Sequence, residues 1–334
     1  MAADKDSNLM MKIAIIGAGL SGLTVANQLN QHADVTVFEK SRGTSGRLST
    51  RRSEPFIFDH GAQFFTVKTA AFKSYIAPMI EAGIVAPWNA RFVQITGGDV
   101  SKHQEWDEAS PHYVGVPGMN AVGKHLSNGL NIQLGTHVGS LIKVGDQWEI
   151  RDQDDVSLGH YDWVISAIPA QQATALLPSS ASFYSDVQKI KLQGCYSLML
   201  GFNDVLDFKY DAALVHDEVI SWISINSSKP GKSGGTSLLI HSTNDWADAH
   251  SEDNRDDVMR LLHEKTVSII GHDVQSPDHM ALHQWRYANA KKQKNGSHFI
   301  DKAQRIGVCG DWCIQGRVEA AFISGQNLAN DILS

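Results

Sequence analysis

Residues 13–29, IAIIGAGLSGLTVANQL, constrain this chain more than any other stretch. KIAII (12–16) is a continuous apolar run of strand length, the pattern of a central parallel strand covered on both faces. GAGLSG (17–22) is G-x-G-x-x-G, and LTVANQLNQ follows with apolar residues at helical spacing. DVTVFEK (34–40) then reads as a second strand ending in Glu39, 17 positions after Gly22, close to the roughly 20 of a dinucleotide-binding βαβ unit. Gly17 permits the tight turn, Gly19 lets a pyrophosphate approach the backbone, and Gly22 lets helix and strand pack closely. The free N–H groups at the helix start, around Leu20 and Ser21, face a diphosphate, and Glu39 accepts from the adenosine ribose hydroxyls. The plainer alternative is a merely structural turn; the complete order of strand, turn, helix, strand and acid favours the dinucleotide site.

The same stretch is a poor export signal or membrane anchor. The residues before it, MAADKDSNLM, carry two aspartates where a basic start belongs. Gly17, Gly19, Ser21, Gly22, Thr24 and Asn27 interrupt the run, and a spanning helix needs about 20 mostly apolar residues. We expect a soluble chain without a membrane partner. Its 334 residues suit two domains at roughly 150 residues each. A net charge of −7 and the absence of a long Lys/Arg run argue against nucleic acid as a partner. Cys195, Cys309 and Cys313 are too few and oddly numbered for a disulfide framework, and C-x3-C is not a redox or zinc spacing, so we read reduced thiols in a cytoplasmic protein and no metal site.

EKSRGTSGRLSTRR (39–52) decides which dinucleotide is bound. It resembles the second flavin motif of the monoamine oxidase-like superfamily, an acid followed by an R-x-x-GGR-like loop. Here Ser45 stands in place of one glycine of the doublet, followed by Gly46 and Arg47. Arg47 can meet a phosphate as a bidentate fork; a solvated basic loop is the alternative. At the far end, RIGVCGDWCIQGRVEAAFISGQNLANDIL (305–333) reads as a strand, Gly310-Asp311, and a helix. In FAD proteins of this type the aspartate binds the ribityl chain, and the helix start, here near Val318–Ala321, points its positive end at the flavin.

Between these ends the chain crosses twice between two domains. FIFDHGAQFFTV (56–67) is a strand and turn approaching the cofactor; 68–109 hold a helix and a short sheet; VPGMNAVGKHL (116–126) opens a helix; 136–169 read as a three-stranded meander, with a type II′ turn at Gly145-Asp146, running into an apolar strand. GCYSLMLGF, VISWISIN, TSLLIHST and HMALHQWRYA read as strands of a second sheet, DDVMRLLHEKTVSIIG as a helix, and NSSKPGKSGG as a polar loop that is not a P-loop. The expected architecture is α/β (α+β overall): a Rossmann-like FAD-binding domain (12–67, 110–170 and 300–334) and a mixed-sheet substrate domain (68–109 and 171–299), with 1–11 disordered.

SRGTSGRLSTRR, FDHGAQFFT, PGMNAV, SWISINSSKP, LLIHSTNDWA, HQWRYA and CGDWCIQGRVEAAFISGQ, spread over about 12–333, together resemble the renalases, particularly the bacterial ones. The resemblance implies an FAD domain of p-hydroxybenzoate hydroxylase or monoamine oxidase type and non-covalent FAD. It also implies oxidation of 2- and 6-dihydro isomers of NAD(P)H, with hydride passing to the flavin and O2 reduced to H2O2. Such a donor needs no proton removed first, and the sequence offers no evident nucleophile–base pair. His241, in LLIHST, matches the family's histidine and is assigned to the substrate carboxamide or to polar closure of the pocket; a satisfied core histidine is the alternative. Asn226 matches a family asparagine, or caps its strand. Trp285 and Tyr287 alternate on one strand and share a face, so they wall the ring pocket or pack the sheet; Arg286 points away. Gln63 and Phe64 follow the turn and line the flavin. Lys40, Gly46, Leu48, Ala62 and Val138 complete the cofactor set.

Two alternatives stand beside this reading. One is another flavin oxidase of the superfamily, acting on an amine or a polyene; amine oxidases typically place a lysine near the flavin, and neither LLIHST nor HQWRYA has one. The other is a non-catalytic FAD-binding redox sensor or assembly subunit.

Overall fold

A computed structural model describes residues 10–294 and 296–334. The strands Lys12–Ile16, Asp34–Glu39, Asn131–Leu134, Trp163–Ser166 and Ile306–Val308 form a parallel sheet edged by antiparallel Phe299–Asp301. Lys12–Ile16 lies inside it between Asp34–Glu39 and Trp163–Ser166. Its side chains alternate. Ile13 and Ile15 pack with Leu23, Val25, Leu29 and Leu328 of the helices Leu20–Leu29 and Val318–Leu333. Ala14 and Ile16 pack on the other side with Trp148 and Ile150 of the meander. Two covered faces explain why this strand is apolar at every position after Lys12. The two helices approach closely because of Gly325, where a Cβ would lie 2.6 Å from the Ser21 carbonyl oxygen.

The meander comprises Val138–Val144, Gln147–Asp152 and Ser157–Tyr161. Gly145 takes φ +59° while Asp146 keeps a negative φ, as a type II′ turn requires. The second large sheet has seven strands in the order His279–Ala290, Leu192–Phe202, Thr236–Ser242, Ile220–Ile225, Ala212–His216, Arg91–Thr96, Asp99–Glu105. It draws strands from both 68–109 and 171–299, joined by parallel pairing of Arg91–Thr96 with Ala212–His216. One face carries Leu198, Ile223, Ile240 and Leu282 against Val258 and Leu262 of the helix Arg255–Ile270. Asn254 caps that helix by accepting from the amides of Asp256 and Asp257. The other face carries Phe92, Met199, Trp222 and Leu239 toward the first domain and the hairpin Thr50–Ser53/Phe56–Asp59.

Several elements lack a local signal. Ala170–Leu176 and Tyr184–Lys189 are short helices, and Asn131–Leu134, Ala212–His216 and Phe299–Asp301 are strands defined by their sheet partners. Of the N-terminal segment read as disordered, residues 1–9 lie outside the described residues; the Met11 carbonyl accepts from the Asp34 amide at 2.9 Å, so the fold begins there. Among the described residues no helix is long and apolar enough to cross a membrane.

Candidate active site

At the first turn, Gly17 adopts φ +105°, and a Cβ on Gly22 would lie 2.0 Å from the Gly17 carbonyl oxygen, so both positions require glycine. The helix Leu20–Leu29 starts from extended Gly19 with no capping side chain and no acid in its first turn. A Cβ on Gly19 would touch nothing within 4 Å. The amides at Leu20 and Ser21 and the positive end of the helix are therefore open to a diphosphate. Glu39 is buried beside them: one carboxylate oxygen accepts from the Ala18 amide and the other from the Ser41 amide, each at 2.8 Å. Lys40, next to it, is exposed.

The loop carrying Ser45, Gly46 and Arg47 lies against this turn. The Ser45 amide donates to the Ala18 carbonyl at 2.9 Å, and Gly46, at φ +54°, sits so that a Cβ would be 3.2 Å from the Gly19 Cα. Ser45 itself is held at φ +99°, the left-handed region that the missing glycine would occupy without strain. Gly123 makes room for the serine: a Cβ there would fall 2.1 Å from its Oγ. Leu48 anchors the loop in the core.

Arg47 forks onto the Asp311 carboxylate and also donates to the Ala288 carbonyl at 3.0 Å. The residues assigned to phosphate and ribityl chain thus meet each other, and Arg47 reaches the edge strand of the second sheet. Gly310 packs under Trp312, where a Cβ would be 2.4 Å from Nε1. The Ala62 amide donates to the Arg47 carbonyl at 2.9 Å, placing the His60–Phe64 turn on the same loop. Val318 and Ala321 begin the last helix, and the Ser21 hydroxyl donates to the Ala321 carbonyl at 2.6 Å. Val138 is buried at the start of the meander beside Phe38. Burial pushes the Cys309 thiol up to about 12 and Cys313 well above its ordinary value, so neither is a nucleophile. A glycine turn without side chains, a buried acid at the ribose position and a guanidinium–carboxylate pair fit a flavin dinucleotide.

Facing this cradle, the second sheet presents a row set by register: His283, Ser197, His241, Trp222. The His60 carbonyl accepts from Ser197 Oγ and from Trp285 Nε1, both at 2.8 Å, and the Trp285 ring stacks on the His60 ring with centroids 5.3 Å apart. Burial holds His241 down to about 4 and His60 to about 3, so both rings are neutral at pH 7. Phe64, Trp106, His112 and Trp222 form a continuous aromatic cluster, with Trp106 and His112 stacked at 3.7 Å.

The assigned residues divide. His241, Trp285 and Phe64 come to this face. Tyr287 packs against the second core cluster. The Gln63 amide is used up by its own surroundings: Nε2 donates to the Asp59 and Gly61 carbonyls, and Oε1 accepts from Ser224 and Lys229. Asn226 is fully buried, with Oδ1 accepting from the Asp59 amide at 3.2 Å. Behind Gln63 lies a group absent from the sequence reading. Lys229 and Lys232, from the loop read simply as polar, are buried against Asp59, with Nζ–Oδ2 distances of 3.6 and 2.8 Å. Burial pushes Lys229 down to about 7; burial would raise Asp59, but the two ammonium charges outweigh it and hold the carboxyl low. Trp222 and His60 also escaped notice. The alternation of Trp222, Ser224 and Asn226 along SWISIN is the one signal that could have found Trp222.

The family profile described as flavin containing amine oxidoreductase matches residues 102–333, and one described as an NAD(P)-binding Rossmann-like domain matches 15–76. A solved structure from Exiguobacterium sp. 255-15, provisionally described as a protoporphyrinogen oxidase, superposes with TM-score 0.75 at 12% identity, covering 96% of this chain and 98% of that one. Putrescine oxidase bound to putrescine gives 0.73 at 13% identity, covering 97% and 99%. The 4,4'-diapophytoene desaturase (4,4'-diaponeurosporene-forming) of Staphylococcus aureus is 44% identical over 52 residues, 15% of this chain and 10% of that relative's length.

Proposed function

The chain belongs to the flavin-containing amine oxidoreductase family and is an FAD-dependent oxidoreductase, and from that premise we propose that it oxidises the 2- and 6-dihydro isomers of NAD(P)H, with O2 as the final acceptor. The balance is dihydronicotinamide isomer + O2 + H+ → NAD(P)+ + H2O2. Bound FAD supplies the two-electron acceptor. Gly17, Gly19, Gly22, Glu39, Arg47 and Asp311 would hold it, with Val318 and Ala321 at its ring end.

One observation carries the reading: the sheet face opposite the cradle is aromatic and uncharged. Its histidines are kept neutral by burial, with His241 near 4 and His283 near 4. A dihydropyridine is flat and neutral and gives up hydride without prior deprotonation. It therefore needs aromatic walls, exclusion of water and a polar anchor rather than a base. Trp285, Phe64 and Trp222 supply the walls and His241 the anchor. Asn226 and Gln63 hold the Asp59–Gly61 turn on which His60 sits.

An amine substrate is the second reading, favoured by Lys229, a buried lysine near neutrality. That lysine is already engaged with Asp59 and Gln63. Anaerobic mixing of the yellow holoenzyme with each dihydro isomer, NADH and benzylamine separates the two. Rapid flavin bleaching by a dihydro isomer alone is expected. Bleaching by benzylamine alone refutes the proposal. Bleaching by no donor would leave only a non-catalytic flavoprotein, and the proposal would fall.

A further inference from the structure

Two polar atoms on the face just described lack a partner. His241 Nε2 and Trp222 Nε1 are both buried with no hydrogen bond within the protein. The residues are directly paired across neighbouring strands, so the two side chains stand side by side on the same face. A buried orphan N–H is costly, commonly about 1–3 kcal/mol, and two adjacent ones call for a common explanation.

Their hydrogen-bonding characters differ. The backbone of His60 engages the His241 ring, and Nε2 is the ring nitrogen left over. With its other nitrogen donating to a carbonyl, a neutral imidazole presents Nε2 as a bare acceptor. An indole N–H can only donate. The face therefore offers one acceptor beside one donor, against an aromatic surface made by Phe64, Phe92 and Trp106 around the Trp222 ring. The complement of that pair is a planar amide edge, with C=O accepting from Trp222 and N–H donating to His241.

We propose that Trp222 and His241 together read the carboxamide of a nicotinamide ring: Trp222 Nε1–H donates to the amide oxygen, and His241 Nε2 accepts from the amide nitrogen. This rests on the function proposed above and adds Trp222 to its site, with a definite division of labour. The same pair would reject a carboxylate in place of the carboxamide, because a carboxylate cannot donate to His241.

The test uses holoenzyme and two oxidised dinucleotides, NAD+ and its 3-acetylpyridine analogue, which keeps the carbonyl and lacks the amide N–H. Binding is read from perturbation of the flavin spectrum, in proteins shown to retain FAD at wild-type stoichiometry. Trp222→Phe removes the donor and keeps a ring, and should weaken both ligands alike, by about three- to tenfold for one neutral hydrogen bond. His241→Phe removes the acceptor, and should weaken NAD+ by a similar factor while leaving the acetyl analogue unchanged. His241→Gln, which restores an acceptor, should recover part of the NAD+ affinity. Equal weakening of both ligands by His241→Phe, or no effect of Trp222→Phe, overturns the assignment. Loss of FAD rather than of NAD+ from both variants also overturns it, since the pair would then serve the amide edge of the flavin. If dihydro isomers reduce the wild type while the variants behave like it, only this pair is wrong. If no dihydro isomer reduces the wild type, the functional reading itself fails and takes the pair with it.

Discussion

Asp59→Asn tests the buried ion cluster behind the site. In the wild type Asp59 Oδ1 accepts from Thr50 Oγ1 at 2.7 Å and from the Met119 amide at 2.9 Å, while Oδ2 faces Lys232 and Lys229. Asparagine keeps the first oxygen and both of its hydrogen bonds. It replaces the second oxygen with an amide group that can only donate, against two ammonium groups with no other anion named within reach. All three side chains are almost wholly excluded from solvent, at 0%, 0% and 1% exposure. Removing one partner from such a pair costs about 3–5 kcal/mol, because the remaining charge stays desolvated. At roughly 2.1 cal/mol/K per residue, the unfolding entropy of this chain is about 0.7 kcal/mol/K, so the loss corresponds to a Tm lower by about 4–7 °C. The measurement is thermal unfolding at pH 7 with FAD at one fixed excess, since ligand binding itself shifts Tm. The double variant Asp59→Asn/Lys232→Met should regain most of the loss. A Tm within about 1 °C of wild type for Asp59→Asn would show that water reaches these charges, and would refute the reasoning.

Gly22→Ala should yield colourless protein, because the new Cβ would press on the Gly17 carbonyl oxygen and open the phosphate turn; a flavin spectrum at wild-type stoichiometry would contradict this. Stability should fall on acidification. His60, His241 and His283 are held at about 3, 4 and 4, against 6.5 when unfolded, so the unfolded chain binds more protons below about pH 6.5. The decline runs from there to about pH 4, and urea midpoints flat across that window would exclude it. Cys195, Cys309 and Cys313 should resist Ellman's reagent in the native protein at mildly alkaline pH and react together on denaturation, since all three thiols are buried and pushed up; fast reaction of any one in the native state would show local opening there.

The readable parts of this site are those whose chemistry lies in consecutive residues. Gly17, Gly19 and Gly22 with Glu39 announce a phosphate turn because sterics, the helix end and the acid fall within one βαβ unit. Gly310-Asp311 was legible for the same reason. What escaped depends on partners far away in sequence. Nothing in NSSKPGKSGG marks Lys229 and Lys232 as buried; their burial depends on Asp59, 170 and 173 positions earlier. Ser45 looks like a defect in the glycine doublet until Gly123 is seen making room for it. Trp222 stands out only through its register with His241, and register between strands is a tertiary property. Gln63 was read as facing the flavin from its place after a turn, but its hydrogen bonds turn inward. The strand Ala212–His216 carries only a short apolar pattern and is defined by pairing with Arg91–Thr96 and Ile220–Ile225.

The Arg47–Asp311 fork spans 264 positions of sequence. Arg47 leaves the ribosome early and Asp311 almost last, and the sheet beneath them needs Trp163–Ser166 and Ile306–Val308 to be complete. An emerging chain therefore owns a phosphate turn long before it owns a cofactor site. The yellow colour of this protein is thus a certificate of finished synthesis: a chain stopped short of residue 311 can carry an intact glycine fingerprint and still have no carboxylate for Arg47 to grip.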